Sequence, residues 1–161
     1  MLDLPDCWVT IPVWDSSTTM TAITSRPITA DECEIVIAFL KSEGYAHSVG
    51  NHDQFFVSEI SGEIVGAVRL SPEENVLVLR RMRIRRDVQR RGVGTHLLRR
   101  VALAVGLEAC YCIPYRWLVP FYAQVGFREV TAEQVPEFLA IRNARYVNDG
   151  LDVVMMYRPL A

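Results

Sequence analysis

Residues 76–105 read VLVLRRMRIRRDVQRRGVGTHLLRRVALAV. The opening part, Val76–Arg85, begins with a β-branched and leucine run, the composition of a strand. The closing part spaces Gly94, Leu97, Leu98, Val101, Ala102 and Val105 three and four residues apart. That spacing predicts an amphipathic helix ending at Gly106. Between them lies Gln89-Arg-Arg-Gly92-Val-Gly94-Thr95. A strand that passes through a two-glycine loop into a helix N-terminus offers unpaired amides and a partial positive charge at one point, a pairing that binds phosphate oxygens. Glycine lets a ligand approach the backbone, and the arginines add charge there. Neither the Gly-Lys-Ser/Thr of a Walker loop nor the Gly-x-Gly-x-x-Gly of a dinucleotide fold is present.

Upstream, Gln54–Ile60 and Ile64–Leu70 read as strands separated by Ser61-Gly62-Glu63. Ser71–Asn75 is a second turn, which makes an antiparallel meander with Val76–Arg85. Before it, Ala22–Ile28 reads as a strand. Thr29-Ala-Asp-Glu32 fits a capping box, and Ile35, Val36, Phe39 and Leu40 form a helical stripe that stops at Gly44. Tyr45–Asp53 is polar and loop-like. Downstream come a strand at Glu108–Ile113, a short helix opened by Pro120 and closed by Gly126, and strands at Phe127–Val130 and Leu151–Tyr157. In 131–150, Thr131-x-x-Gln134 resembles a capping box. Pro136 is costly inside a helix, so a turn and then a helix from near Pro136 to about Arg145 is expected. Residues 1–20 lack a period and contain Pro5 and Pro12, and read as an irregular extension or a partner-binding arm. Residues 21–161 then form one domain: a mixed α/β (α+β) fold of seven strands and four helices.

The composition narrows the class. The chain has 161 residues, half of them hydrophobic, with a net charge of −2, enough for one buried core. No apolar run approaches the ~18 residues of a membrane span. The N-terminus lacks the basic and apolar regions of a signal peptide, so the expectation is a cytoplasmic protein. Cys7, Cys33, Cys110 and Cys112 complete no zinc set and read as reduced packing residues. Sixteen of the seventeen basic residues are arginine. From Arg80 to Arg100 there are nine arginines against Asp87 alone, a net +8. The other 140 residues hold eight bases and 18 acids, a net −10. Charge concentrated in this way suits a polyanionic ligand.

Gln89-x-x-Gly92-x-Gly94 resembles the pyrophosphate-loop pattern Gln/Arg-x-x-Gly-x-Gly/Ala of the GNAT acetyltransferase superfamily. Phe121-Tyr122-x-x-x-Gly126-Phe127 is similar to that family's downstream Phe-Tyr-x-x-x-Gly-Phe segment. The resemblance spans roughly 22–130. It implies a mostly antiparallel central sheet of six to seven strands and an acetyl-CoA cleft where two parallel strands splay. It also implies N-acetyl transfer to a primary amine by direct attack, without a metal. Under it, the backbone of Met82, Arg83 and Ile84 meets the pantetheine arm. The amides of Gln89, Arg90, Arg91, Gly92, Val93, Gly94 and Thr95 hold the pyrophosphate, with Arg90 and Arg91 on the phosphates. Tyr115 and Phe121 fall at further cofactor positions, and Tyr122 is the acid that protonates the leaving CoA thiolate. A phenol, with an ordinary pKa near ~10, is protonated at neutral pH and can donate that proton.

The chain departs from the family in two places. The family often has a glutamate base on its fourth strand, where this sequence reads Val78-Leu-Arg80-Arg81. It often has an asparagine where Tyr115 stands. His47 and His52, in the loop after the first helix, are weaker candidate bases, and His96 reads as a solvated residue on the polar side of its helix. Arg80, Arg81 and Arg83 are candidates to favour an acidic acceptor. The expected partner is a small-molecule or peptide amine, with no nucleic acid or membrane, and a homodimer is allowed. Two other readings stay open: a CoA-binding sensor without catalysis, and an arginine-rich nucleic-acid module. The latter calls for interleaved aromatics, and 80–100 contains no Phe, Tyr or Trp.

Overall fold

The computed structural model describes residues 9–14, 20–45 and 49–159. Eight strands and four helices follow in chain order: β1 (Val9–Trp14), β2 (Met20–Pro27), α1 (Cys33–Ser42), β3 (Gln54–Ile60), β4 (Glu63–Glu73), β5 (Val76–Ile84), α2 (Val93–Val105), β6 (Cys110–Cys112), α3 (Val119–Ala123), β7 (Arg128–Val130), α4 (Glu137–Asn148) and β8 (Met155–Arg158). Seven of the strands match the sequence expectation in place and order. The eighth, β1, lies where an irregular extension was expected: Val9–Trp14 pair antiparallel with Met20–Ser25. Pro12 fits there because β1 is an edge strand, the position in a sheet that tolerates a missing amide.

The chain forms two compact units. The first comprises the described residues of Met1–Ser71 with Arg81–Ala104, the second Pro72–Arg80 with Val105–Ala161. In the first unit the strand order is β1-β2-β3-β4-β5; in the second it is β5-β6-β8-β7, with β5 contributing to both. The β5–β6 pair is parallel and joins Leu77–Leu79 to Cys110–Cys112. The β1–β2, β2–β3, β3–β4, β6–β8 and β7–β8 ladders are antiparallel. No helix among the described residues is long and apolar enough to cross a membrane.

In the first unit, β3 and β4 are buried on both faces, at Phe55–Ser58 and Val65–Ser71. Central strands covered on both sides lose the simple inside–outside alternation. One face meets α1: Val36 and Leu40 pack with Tyr45, Phe55, Val57 and Ala67. The other face carries Ile23 and Val65, which pack with Val88 and Val93 at the head of α2. The stripe of α2 is buried as its spacing requires, at Leu97, Leu98, Val101 and Val105, while Leu103 is exposed.

In the second unit both signals of 131–150 are used. Thr131 and Gln134 close a capping box on a single 3-10 turn, Ala132–Gln134, with the Thr131 amide donating to Gln134 Oε1 at 3.0 Å. Val135 is extended, and Pro136 then stands at the N-cap of α4, outside the helical ladder where its ring is harmless. Arg158, on β8, donates to the carbonyls of Val125 and Gly106 at 2.8 Å each, which satisfies oxygens left over beyond the ends of α3 and α2.

Candidate functional site

The anion loop lies wholly in the first unit. Its ends are pinned by two valines, Val88 and Val93, both buried. Between them Gln89, Arg90, Arg91 and Gly92 are exposed. The turn is made by two left-handed residues, Arg90 (φ +62°) and Gly92 (φ +85°). An arginine adopts this region only at a cost, whereas glycine adopts it freely. The first bond of α2 runs from the His96 amide to the Gly92 carbonyl at 3.0 Å. The amides of Val93, Gly94 and Thr95 precede it, in the turn where a helix has no partners of its own to offer.

The charges around the loop are sorted by their partners. Arg85 is held by Asp87 (2.6 Å) and Glu63 (2.7 Å), and it in turn keeps the Asp87 carboxyl below the usual carboxylate range. Among the described residues no carboxylate lies within salt-bridge distance of Arg90 or Arg91. A Cβ added at Gly92 meets nothing within 4 Å, so the space over the loop is open. Arg91 acts on Asp87 through space only. Open space and guanidinium groups outside any close ion pair fit a phosphate-bearing group. Gln89 contributes its backbone only, because its side-chain amide donates to the Ile84 carbonyl at 2.9 Å and braces the end of β5. Met82, Arg83 and Ile84 are half-buried on β5. Ile84 stands close to Gly66, where an added Cβ would lie 2.7 Å from its Cδ1.

His96 corrects the sequence reading. It is buried, not solvated, with 3% exposure, and its Nδ1 lies 2.6 Å from the Ser25 hydroxyl. Ser25 Oγ is 2.6 Å from Ser58 Oγ, and these serines are register partners on β2 and β3. Two small polar residues at matched positions of β2 and β3 were the available signal for a polar partner on the covering helix.

The second unit holds Tyr122, on α3. It is buried, with its ring set edge-to-face against Phe121 at 5.1 Å and Phe127 at 5.9 Å. Gly126, left-handed at φ +95°, ends this segment, which explains why the motif needs glycine there. Tyr115 is 41% exposed and forms an isolated backbone bridge with Val153. Cys110 and Cys112 are buried on one face of β6. Burial pushes the Cys110 thiol up to about 12 and that of Cys112 well above the ordinary value, so neither is a ready nucleophile. His52 is exposed, and His47 lies outside the described residues. No group of three or more His, Cys, Asp or Glu that could hold a metal ion occurs among the described residues.

A search by sequence among curated proteins found no match. A family profile described as an acetyltransferase (GNAT) domain matches residues 51–129, which include both the loop and the Phe121–Phe127 segment. Among solved structures the chain is similar to the ribosomal-protein-S18-alanine N-acetyltransferase of Escherichia coli (16% identity, 86% of this chain and 94% of that one, TM-score 0.63). It is likewise similar to Escherichia coli ElaA (14% identity, 84% and 99%, TM-score 0.63). A third is the N-acetylglutamate synthase of Neisseria gonorrhoeae, solved with coenzyme A and N-acetyl-glutamate (18% identity, TM-score 0.58). The match covers 86% of this chain, which spans only about a third (35%) of that one. At these identities the likeness is one of fold. The domain match across both motifs makes residues 51–129 a GNAT acetyltransferase domain.

Proposed function

We propose that the chain transfers an acetyl group from acetyl-CoA to a primary amine of a small molecule or peptide. The observation that carries this reading is the exposed loop at the head of α2, where left-handed Arg90 and Gly92, two arginines outside any close ion pair and open space coincide. In this reading the amides from Gln89 to Thr95, with Arg90 and Arg91, bind the pyrophosphate. The backbone of Met82, Arg83 and Ile84 binds the pantetheine arm, and Tyr115 and Phe121 flank the cofactor.

Bound acetyl-CoA supplies an acetyl group already activated as a thioester. The acceptor nitrogen forms the new C–N bond as the C–S bond breaks. Backbone N–H groups near Met82–Ile84 donate to the carbonyl oxygen where charge develops. Tyr122 Oη gives its proton to the departing sulfur. The stretch Val78–Arg81 offers no carboxylate, and Glu73 at the end of β4 is held by Arg80 (3.1 Å) and Arg142. The amine proton therefore passes to water rather than to a dedicated side chain.

The test is calorimetry with CoA together with a mass-spectrometric screen of amines, amino acids and peptides incubated with acetyl-CoA. Saturable CoA binding and a product heavier by one acetyl group support the reading. CoA binding without any acetylated amine would favour the sensor. An absence of CoA binding overturns the cofactor assignment.

A further inference from the structure

Given the acetyltransferase reading, one guanidinium of the first unit narrows the chemistry of the acceptor. Arg81 has left-handed backbone (φ +56°), two residues beyond Leu79, the last β5 residue paired with β6. Its guanidinium lies 5.7 Å from the ring centroid of Tyr45, in the connection between α1 and β3.

The acid that shares Arg69 with Tyr45 is already committed. Asp53 Oδ2 accepts from Arg69 Nη2 at 2.6 Å and from the Gly50 amide at 2.5 Å, and Asp53 Oδ1 accepts from the Ser71 hydroxyl at 2.5 Å. Arg69 also donates to the Tyr45 hydroxyl at 2.7 Å. Asp53 thus answers the charge of Arg69. Arg81 is left as a half-buried cation for which the described residues provide no carboxylate within salt-bridge distance. Its neighbour Arg80 differs, being held by Glu73. A guanidinium steadied over an aromatic face keeps N–H donors free in its own plane, and two of them match the oxygens of one carboxylate.

We propose that Arg81, steadied by Tyr45, binds a carboxylate on the acceptor, so that the substrate is an amine that also carries an acid group. Such an acceptor supplies the anion that the protein lacks at this position. A neutral or cationic amine leaves the guanidinium half-buried and unanswered.

The experiment compares L-aspartate, L-glutamate and the dipeptide Ala-Glu with their fully amidated counterparts, by thiol release at saturating acetyl-CoA. Glutarate and glutaramide are also titrated onto the CoA complex by calorimetry. Wild type should favour the acids by roughly 10–100-fold in kcat/KM. Arg81→Gln should abolish that preference and weaken glutarate binding about tenfold, with KM for acetyl-CoA unchanged. Arg81→Gly, which suits the left-handed backbone, should show the same loss without a folding defect. A preference for the free amino acids over Ala-Glu identifies a small-molecule acceptor, and the reverse a peptide; either upholds the proposal. Equal rates on acids and amides, or a preference that survives in both variants, overturns it while leaving the acetyltransferase reading intact. If none of these amines turns over, glutarate binding that depends on Arg81 upholds it and a lack of glutarate binding overturns it. A protein that does not bind CoA loses both readings.

Discussion

His96 Nδ1 stands 2.6 Å from the hydroxyl of Ser25, which stands 2.6 Å from that of Ser58, all three side chains being buried. This chain of polar atoms ties the first turn of α2 to β2 and β3, and that same turn carries the loop amides. Removing one member leaves its partner buried without the bond, which costs about 1–3 kcal/mol. His96→Leu and Ser25→Ala should each lower stability by that amount in urea unfolding and weaken CoA binding. His96→Asn, which retains a polar atom near the Nδ1 position, should recover part of both. A His96→Leu variant of wild-type stability and affinity would show that the tether does not position the loop.

Gly92 separates fold from ligand. At φ +85° any side chain is strained, but space is open, so Gly92→Ala should cost only about 1 kcal/mol. An aspartate at the same place suits a helix N-terminus in the free protein, yet sets a negative charge where phosphate would bind. Gly92→Asp should therefore fold and lose at least tenfold in CoA affinity by calorimetry, as roughly one charge-assisted contact is replaced by repulsion. Unchanged affinity would remove the loop from the site.

Tyr122→Phe keeps the edge-to-face packing with Phe121 and Phe127 and removes only the hydroxyl. If the phenol is the acid, the acetylation rate falls by about 10²–10⁴-fold with little change in CoA affinity. Full activity would mean that water protonates the thiolate.

The proton released by the amine calls for its own test. With no carboxylate in Val78–Arg81 and His52 exposed, His47→Ala, His52→Ala and Glu43→Ala should each keep substantial turnover. A complete loss in one of them, with CoA binding intact, would identify a base and end the water route.

The thiols of β6 make stability depend on alkaline pH. Burial raises Cys110 from the ordinary value near 9 to about 12, and Cys112 in the same direction. The unfolded chain then loses these protons before the folded one does, so their contribution is full below pH 9 and declines as pH rises toward 12. In a Cys7→Ser, Cys33→Ser background, thiol reagents at pH 8 should label the native protein slowly and the urea-unfolded protein fully. Cys110→Ala should remain active. Rapid native labelling would show an accessible thiolate.

Much of the fold was legible in the chain because its signals are local. The period of α2, the turn at Ser61–Gly62, and the punctuation by Gly126 and Pro136 each act within a few residues, as does the steric need that places glycine at position 92. The anion loop belongs to the same class, since a strand, two glycines and a helix head are contiguous. The turn expected over Ser71–Asn75 is shorter: β4 runs on to Glu73, and only the left-handed Glu74 and Asn75 reverse the chain. Tertiary structure decided what depends on residues far apart in sequence. His96 looks polar and exposed on its helix until Ser25 and Ser58, 71 and 38 residues away, are brought beneath it. The arginines of 80–100 look equivalent until folding gives Arg85 to Glu63 and Arg80 to Glu73, while Asp53 is taken by Arg69 and Arg81 is set over Tyr45. Charge partners and buried hydrogen bonds are chosen by three-dimensional proximity in a medium that penalises any unpaired group, and no local pattern encodes that choice.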